Sequence, residues 1–190
     1  MQQPAYDRRF EDALDSAEAL FAEKGFHAAS MRDIAGAAGV SVAGLYYYLP
    51  SKQTALYIVC NRTFDDLDAA TRESKSIKEP KRALYTFVRG HLRYMVDNHS
   101  AYRVLLRDME AAEGEFREKL RARRRRYFST ASGLVSRVQP KSGAVSARIA
   151  AGALFGMLNW APMWYQSKLD GEVDDLAGKM VALFLSGVAS

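Results

Sequence analysis

The chain has 190 residues, of which 48% are hydrophobic and 26% charged, and its formal net charge is +5. This length and composition predict a globular protein with one sizeable core, or a small module fused to a larger one, and they exclude an intrinsically disordered chain. A single cysteine, Cys60, excludes an internal disulfide, and the first ten residues lack an apolar leader, so we expect a cytoplasmic protein.

Apolar residues at helical spacing, interrupted by Gly, Pro and Ser, predict about nine helices and no strand. In chain order these lie at about residues 10–24, 31–38, 42–49, 52–73, 80–95, 100–109, 115–138, 144–164 and 172–188. The apolar run 149–165 contains Asn159 and Pro162 and is too short for a membrane span, so we expect a buried helix there. The predicted fold class is all-α.

Residues 30–49 have the pattern of a helix-turn-helix. Ser30 and Asp33 match a capping box at the start of the first short helix, Gly39 permits the left-handed turn that ends it, and Ser41 can cap the second. Two short helices joined by such a turn can place the second helix in a DNA major groove.

The second short helix has two distinct faces. Leu45 and Leu49 lie four residues apart and face inward, which turns Ala43 and Tyr47 outward, with Gly44 and Tyr46 beside them. Small residues and tyrosines suit a close approach to base edges and phosphates. The alternative is a structural three-helix corner with surface tyrosines.

The charge is distributed unevenly along the chain. Residues 1–52 hold five Lys/Arg against seven Asp/Glu, whereas residues 81–126 hold thirteen against six. A DNA-binding N-terminus would therefore use few charges and many neutral donors.

The stretch L-F-A-E-K-G-F-H-A-A-S-M-R-D-I-A-G-A-A-G-V-S-V-A-G-L-Y-Y-Y-L-P-S-K resembles the DNA-binding domain of the TetR family of bacterial regulators, over roughly residues 10–59. Leu49, where Phe is usual, Gly44, where Thr or Ser is common, and Ala55, where Leu is common, depart from the pattern. The resemblance implies a homodimer that binds palindromic double-stranded operator DNA and is released by a small-molecule inducer. It also implies an N-terminal three-helix DNA-binding domain (1–52) and a larger helical ligand-binding and dimerisation domain (53–190).

By the same resemblance, ten residues are candidates for DNA contact. Ser30 and Arg32 would contact the backbone and a base, and Tyr48 and Lys52 would hold phosphate. The candidates on or beside the second helix are Ser41, Val42, Ala43, Gly44, Tyr46 and Tyr47.

In the larger domain, F-G-M-L-N-W-A-P-M-W-Y resembles the C-terminal region of TetR-family repressors that sense fatty or steroid-derived acyl-CoA thioesters. Arg123 falls on the apolar stripe of the helix at 115–138, and a charge there needs a partner. That partner could be an internal carboxylate, such as Glu110 or Glu113, or an anionic ligand.

The ligand candidates are aromatic or polar residues on apolar stripes, although most such residues simply form core. They are Tyr102, Arg123, Tyr127, Phe155, Asn159, Trp160 and Trp164. An acyl-CoA thioester is one candidate inducer, and a neutral or cationic drug-like ligand of an efflux regulator is the alternative. A helical binding protein without a DNA function is the third interpretation.

The sequence gives no support for an enzyme. Its three histidines lie near no paired acidic motif, and it has no zinc-ligand spacing, phosphate loop or nucleophile elbow. We expect no catalytic residue, metal or cofactor. The small and apolar residues of the last two helices predict dimerisation through them.

Overall fold

A computed structural model of the chain describes residues 3–139 and 145–188. All regular structure in these ranges is helical, which confirms the all-α prediction. The α-helices in the described residues are α1 (Gln3–Lys24), α2 (Met31–Ala37), α3 (Val42–Tyr48), α4 (Lys52–Ala70), α5 (Pro80–Asp97), α6 (His99–Asp108), α7 (Gly114–Val138), α8 (Ala147–Trp160), α9 (Ser167–Asp170) and α10 (Val173–Val188).

The structure adds one helix to the nine expected and shortens two others. The four-residue α9 lies in a segment expected to be a loop, and α4 ends at Ala70 and is followed by a 3-10 turn at Arg72–Lys75. Helix α8 ends at Trp160, and the chain continues as a 3-10 turn at Ala161–Met163, because Pro162 has no N–H with which to continue the α-helical hydrogen bonds. The predicted start of this helix at residue 144 lies outside the described residues.

The chain divides into two compact units, and neither is continuous in sequence. The first comprises Met1–Thr63 and Ser100–Arg123, and the second Phe64–His99 and Arg124–Ser190. The division into domains 1–52 and 53–190 stays a prediction.

In the first unit, α1, α2 and α3 pack on one another. Leu14, Phe21, Ile34, Leu45 and Leu49 are almost completely buried between them. Burying each of these side chains stabilises the fold by about 1.5 to 3 kcal/mol. This small core holds α2 and α3 in place.

In the second unit, α5 packs against α8 and α10. Phe87, Leu92, Leu154, Leu158 and Ala177 are fully enclosed there. Helix α5 begins at Pro80, and the Glu79 side chain accepts hydrogen bonds from the amides of its first turn. No helix in the described part of the chain is both long and apolar enough to cross a membrane.

Candidate nucleic-acid interface and ligand site

Helix α2 begins at the predicted capping box. Ser30 Oγ accepts a hydrogen bond from the Asp33 amide at 3.1 Å, and the Asp33 carboxylate accepts one from the Ser30 amide at 2.9 Å. Asp33 also accepts from Ser30 Oγ at 2.7 Å. These bonds favour the ionised form and lower the pKa of Asp33. The capping box fixes the residue at which α2 starts. Ser30 and Arg32 are exposed at this end of the helix.

The turn between α2 and α3 adopts the conformation that the sequence predicts. Gly39 has φ +65°, in the left-handed region, and the Val40 amide donates to the Ala35 carbonyl at 3.0 Å. Ser41 then caps α3, since its Oγ accepts from the Gly44 amide at 3.0 Å. The result is two seven-residue helices with a tight corner between them.

The two faces of α3 separate as predicted. Leu45 and Leu49 are completely buried, whereas Tyr46 and Tyr47 are 49% and 71% exposed. Ala43 is also exposed, and so is Val42 at the start of the helix. The half-buried Tyr48 packs edge-on against the Tyr47 ring, with 5.2 Å between their centroids. The exposed face therefore offers phenol hydroxyls beside small side chains.

Lys52, the predicted phosphate ligand, is directed at the protein itself. Its Nζ donates to the carbonyl oxygens of Phe26 at 2.9 Å, His27 at 3.4 Å and Ala29 at 2.8 Å. The same ammonium lies 4.5 Å from the centroid of the Phe26 ring. All three carbonyls belong to the segment that joins α1 to α2.

Two further residues of the first unit were not singled out from the sequence. Arg107 on α6 donates to the carbonyl oxygens of Phe21 and Ala22 at the end of α1, and it pairs with the buried Asp108 at 2.9 Å. An acidic residue on the apolar stripe of α6 was the signal that could have identified this pair.

Gln53 is the second of these residues. Its amide nitrogen donates to the Ala111 carbonyl at 3.1 Å, and its amide oxygen accepts from the Glu113 amide at 3.1 Å. This side chain connects the start of α4 to the segment between α6 and α7. No local pattern in the sequence identifies that contact.

Two of the ligand candidates, Tyr127 and Phe155, come together in the second unit, with ring centroids 5.9 Å apart. His91 joins them, because its Nδ1 lies 2.9 Å from the Tyr127 hydroxyl in a hydrogen bond. Phe87 completes an aromatic cluster at 5.3 Å from the Tyr127 ring. Complete burial lowers the pKa of His91 to about 3, so this imidazole is neutral at physiological pH.

The other candidates of the second unit lie nearer the surface. Trp160 and Trp164 are 63% and 41% exposed and line an open groove of about 570 Å³ with Gly156, Lys179 and Leu183. Asn159 is half-buried on the same helix as Trp160.

Tyr102 and Arg123 belong to the first unit. Tyr102 is buried, which raises the pKa of its hydroxyl, and Arg123 is half-buried with its Nε shielded from solvent. One carboxylate expected as a partner of Arg123, that of Glu110, lies 2.8 Å from Arg121.

The neighbouring arginines of α7 form ion pairs within the protein. Arg121 also lies within 3.7 Å of Glu118, and Arg126 lies 2.9 Å from Asp68. Intramolecular pairing therefore accounts for part of the basic surplus.

The described residues contain neither an exposed cysteine nor a cluster that could bind a metal ion. Cys60 is buried, and desolvation raises the pKa of its thiol, so a nucleophilic thiolate is disfavoured. Three or more His, Cys, Asp or Glu side chains that could hold a metal ion do not come together anywhere in residues 3–139 or 145–188.

Comparison with known families accounts for most of the chain. Residues 13–55 match the family model for bacterial regulatory proteins of the tetR family, and residues 78–188 match the model for the tetracyclin repressor-like C-terminal domain. The HTH-type transcriptional repressor KstR2 of Rhodococcus jostii is 28% identical over 184 residues, which cover 94% of this chain and 90% of that protein.

Solved structures share the whole fold. The TetR-family regulator PfmR from Thermus thermophilus superposes with a TM-score of 0.82 at 30% identity, over 94% of this chain and 96% of that one. AibR in complex with isovaleryl coenzyme A and operator DNA superposes with a TM-score of 0.81 over 92% of this chain and 97% of that one. At 22% identity, AibR is similar in fold alone.

Proposed function

The chain belongs to the TetR family of bacterial regulatory proteins, and on that basis we propose that it is a ligand-responsive repressor of transcription. It binds a palindromic operator as a homodimer in the bacterial cytoplasm. An inducer releases the DNA by binding more tightly to a conformer whose two α3 helices are badly spaced for the operator.

The observation that carries this proposal is the exposed face of α3 within a capped helix-turn-helix. A helix with this surface fits a major groove, where Ala43 and Gly44 permit close approach and the tyrosine hydroxyls donate to phosphates or bases. The residues proposed to contact DNA are Ser30, Arg32, Ser41, Val42, Ala43, Gly44, Tyr46, Tyr47 and Tyr48.

Selection from a random library of DNA duplexes, together with the region upstream of the protein's own gene, tests DNA binding. We expect recovery of a palindromic duplex whose affinity falls with salt and exceeds that of a scrambled duplex of equal length by 10³-fold or more, as an order of magnitude. A protein that binds selected and scrambled duplexes equally would be a helical binding protein without an operator.

We propose that α8 and α10 form the dimer interface. Ile149, Trp160 and Leu183 are all more than half exposed, and the exposed Gly152 and Gly156 lie beside open space. Exposed apolar surface of this kind marks an interface, and small residues allow two helices to approach closely. A second copy of this pair would bury the groove that Trp160 and Leu183 line.

The proposed inducer is an acyl-CoA thioester. The aromatic cluster of Phe87, Tyr127 and Phe155 suits an acyl chain, and the neutral His91–Tyr127 pair offers a hydrogen-bond donor for a carbonyl oxygen. The sequence around Trp160 resembles acyl-CoA-sensing repressors, and AibR, which has this fold, was crystallised with isovaleryl coenzyme A.

A neutral or cationic drug-like inducer is the second candidate, because the same cluster is uncharged and its rings can bind a cation. Calorimetric titration with acyl-CoAs of several chain lengths, free coenzyme A and the cationic dye rhodamine 6G separates the two. If no acyl-CoA binds more tightly than about 100 μM, which corresponds to about 5.5 kcal/mol, the thioester is the wrong class.

Replacing Arg123 tests whether it binds the anionic ligand. We expect Arg123→Ala to cost about 1.5 to 3 kcal/mol of acyl-CoA affinity, the size of one charge-assisted contact, while DNA binding without ligand stays normal. Arg125→Ala, which removes an exposed arginine two residues away, serves as the control for net charge. Equal losses in the two variants would assign the effect to overall charge.

A further inference from the structure

The Lys52 ammonium binds backbone carbonyls within the first unit. Its three hydrogen bonds reach the carbonyls of Phe26, His27 and Ala29, and the Phe26 ring lies under it. An ammonium group has three N–H donors and no acceptor, so these three carbonyls match its donors in number. Lys52 is the first residue of α4 and is thereby joined to residues 23 to 26 positions earlier.

The segment that Lys52 contacts follows the C-terminal end of α1, where a cation is stabilising. The last carbonyls of α1 have no partner within the helix and carry a partial negative charge. Gly25, at φ +89°, turns the chain out of α1 in the left-handed conformation. Arg107 binds the carbonyls of Phe21 and Ala22 just before this turn, and Lys52 binds those just after it.

The same segment leads directly into the proposed DNA-contacting residues. Ala29, whose carbonyl lies 2.8 Å from Lys52 Nζ, is buried and immediately precedes Ser30, the N-cap of α2. Arg32 follows two residues later on the exposed side. Lys52 therefore contacts the residue that immediately precedes the N-cap of α2.

We infer that Lys52 is a positioning residue for DNA binding: it holds the α1–α2 turn that presents Ser30 and Arg32, and it does not itself bind a phosphate. The inference rests on the proposed DNA-binding function. It assigns Lys52 a different role from the phosphate contact that the resemblance implies. Arg32 then remains the only Lys/Arg among the residues proposed to contact DNA.

Salt dependence distinguishes the two roles. A lysine that neutralises one phosphate contributes about 0.9 to the slope of log K against log salt, so its loss from both subunits of a dimer lowers that slope by about two. Loss of a positioning residue weakens binding at every salt concentration without changing the slope. Lys52→Met removes the charge but keeps an unbranched side chain of similar length beside the Phe26 ring.

The experiment uses the full-length protein and the palindromic duplex recovered by selection, with affinity measured by fluorescence anisotropy at several KCl concentrations. Lys52→Met is expected to bind about tenfold more weakly with the wild-type slope. Lys52→Arg is not expected to restore affinity, because a planar guanidinium does not reproduce the three contacts, although it would bind a phosphate well. Lys24→Met removes an exposed lysine of α1 and is expected to match the wild type.

A double-mutant cycle with Ser30→Ala separates positioning from general destabilisation. If Lys52 acts through the start of α2, Ser30→Ala costs several-fold less affinity in the Lys52→Met background than in the wild type. A slope reduced by about two in Lys52→Met, full rescue by Lys52→Arg, or independent effects in the cycle would each overturn the inference. A wild-type protein that binds no duplex selectively would instead refute the proposed function.

Discussion

The helix-turn-helix and the second unit distribute polar and apolar groups in opposite ways. In the helix-turn-helix, Leu45 is completely buried and the hydroxyl-bearing Tyr47 is largely exposed. In the second unit, His91 and Tyr127 form a hydrogen bond in the interior, while Leu183 is 69% exposed.

This contrast indicates what each region requires from a partner. A polar exposed face gains little from an apolar surface but can exchange hydrogen bonds with water for hydrogen bonds with DNA. An apolar exposed face gains by leaving water, as it does against a second copy of itself. The buried polar pair of the second unit must be uncharged, because an isolated charge there would be prohibitively unfavourable.

The largest effect on binding, either to a second copy or to DNA, is expected at the apolar exterior of the second unit. Leu183→Glu would place two carboxylates in the proposed α8–α10 interface and is expected to weaken dimerisation at least about a hundredfold, which corresponds to about 2.8 kcal/mol. Because Leu183 is mostly exposed within one chain, the monomer should stay folded. Light scattering at micromolar concentration measures the mass, and anisotropy measures the accompanying loss of operator affinity.

Leu106→Glu is the matched control, since Leu106 is also an exposed leucine but lies on α6. It should leave the dimer intact. If the Leu183→Glu protein remains dimeric, the interface lies elsewhere. The apolar exposed face of the second unit would then not be the surface that binds a second copy.

The polar exterior of the helix-turn-helix is tested at Tyr46. Tyr46→Ala is expected to cost about 1 to 3 kcal/mol of discrimination between the selected duplex and an unrelated one, the size of one base contact. Its free energy of unfolding should change by less than about 0.5 kcal/mol, because Tyr46 is half exposed. Equal losses on both duplexes would show that Tyr46 reads no base.

Leu45→Ala, one residue away on the buried face of α3, should behave in the opposite way. We expect it to lower the free energy of unfolding by about 2 to 5 kcal/mol, measured by urea denaturation. Together the two substitutions test whether the inside and outside of α3 are energetically separate.

The polar interior of the second unit predicts a pH dependence of stability. The pKa of His91 is lowered to about 3 in the folded protein, whereas an unfolded histidine titrates near 6.5. Between these values only the unfolded chain binds the proton, so stability falls as pH decreases below about 6.5, by about 1.4 kcal/mol per pH unit. Wild-type stability at pH 5 should therefore be about 2 kcal/mol below that at pH 7.

Urea denaturation of His91→Gln at the two pH values measures this contribution. The variant should be less stable than the wild type at pH 7. Its free energy of unfolding should differ little between pH 5 and pH 7. His27→Gln removes an exposed histidine, and its free energy of unfolding should change between pH 5 and pH 7 as much as that of the wild type. If His91→Gln and the wild type show the same pH dependence, the imidazole is not the group that senses acid.

Local features of the helix-turn-helix could be predicted from the sequence because they depend on short spacings. The capping box of Ser30 and Asp33, the turn at Gly39 and the two faces of α3 each involve residues within six positions of one another, so local geometry alone places them. The contacts of Lys52, Gln53 and Arg107 with backbone groups span 23 to 86 residues, and no periodicity encodes them.

The second unit was harder to predict for a different reason. The apolarity of Trp160 indicates that it is removed from water, but not whether its own chain or a partner covers it. In the first unit, a similar question arises for charges, because several arginines of α7 lie near the same carboxylates and Arg121 lies 2.8 Å from Glu110. The side-chain rotamers that decide such pairs are not determined by helical angle alone.

The smallest effect tests the turn that joins the two faces of the helix-turn-helix. Gly39 has φ +65°, and a Cβ at this position would meet open space, so Gly39→Ala should cost only the backbone strain of the left-handed conformation, about 1 to 2 kcal/mol. Gly36→Ala is the matched control, because a Cβ there also meets open space but the backbone is helical. It should stabilise the protein by about 0.5 to 1 kcal/mol. Urea midpoints that shift in opposite directions would show that the left-handed conformation at Gly39, and not the added methyl group, determines the loss of stability. Equal shifts would assign both effects to the methyl group and leave the turn with no special role.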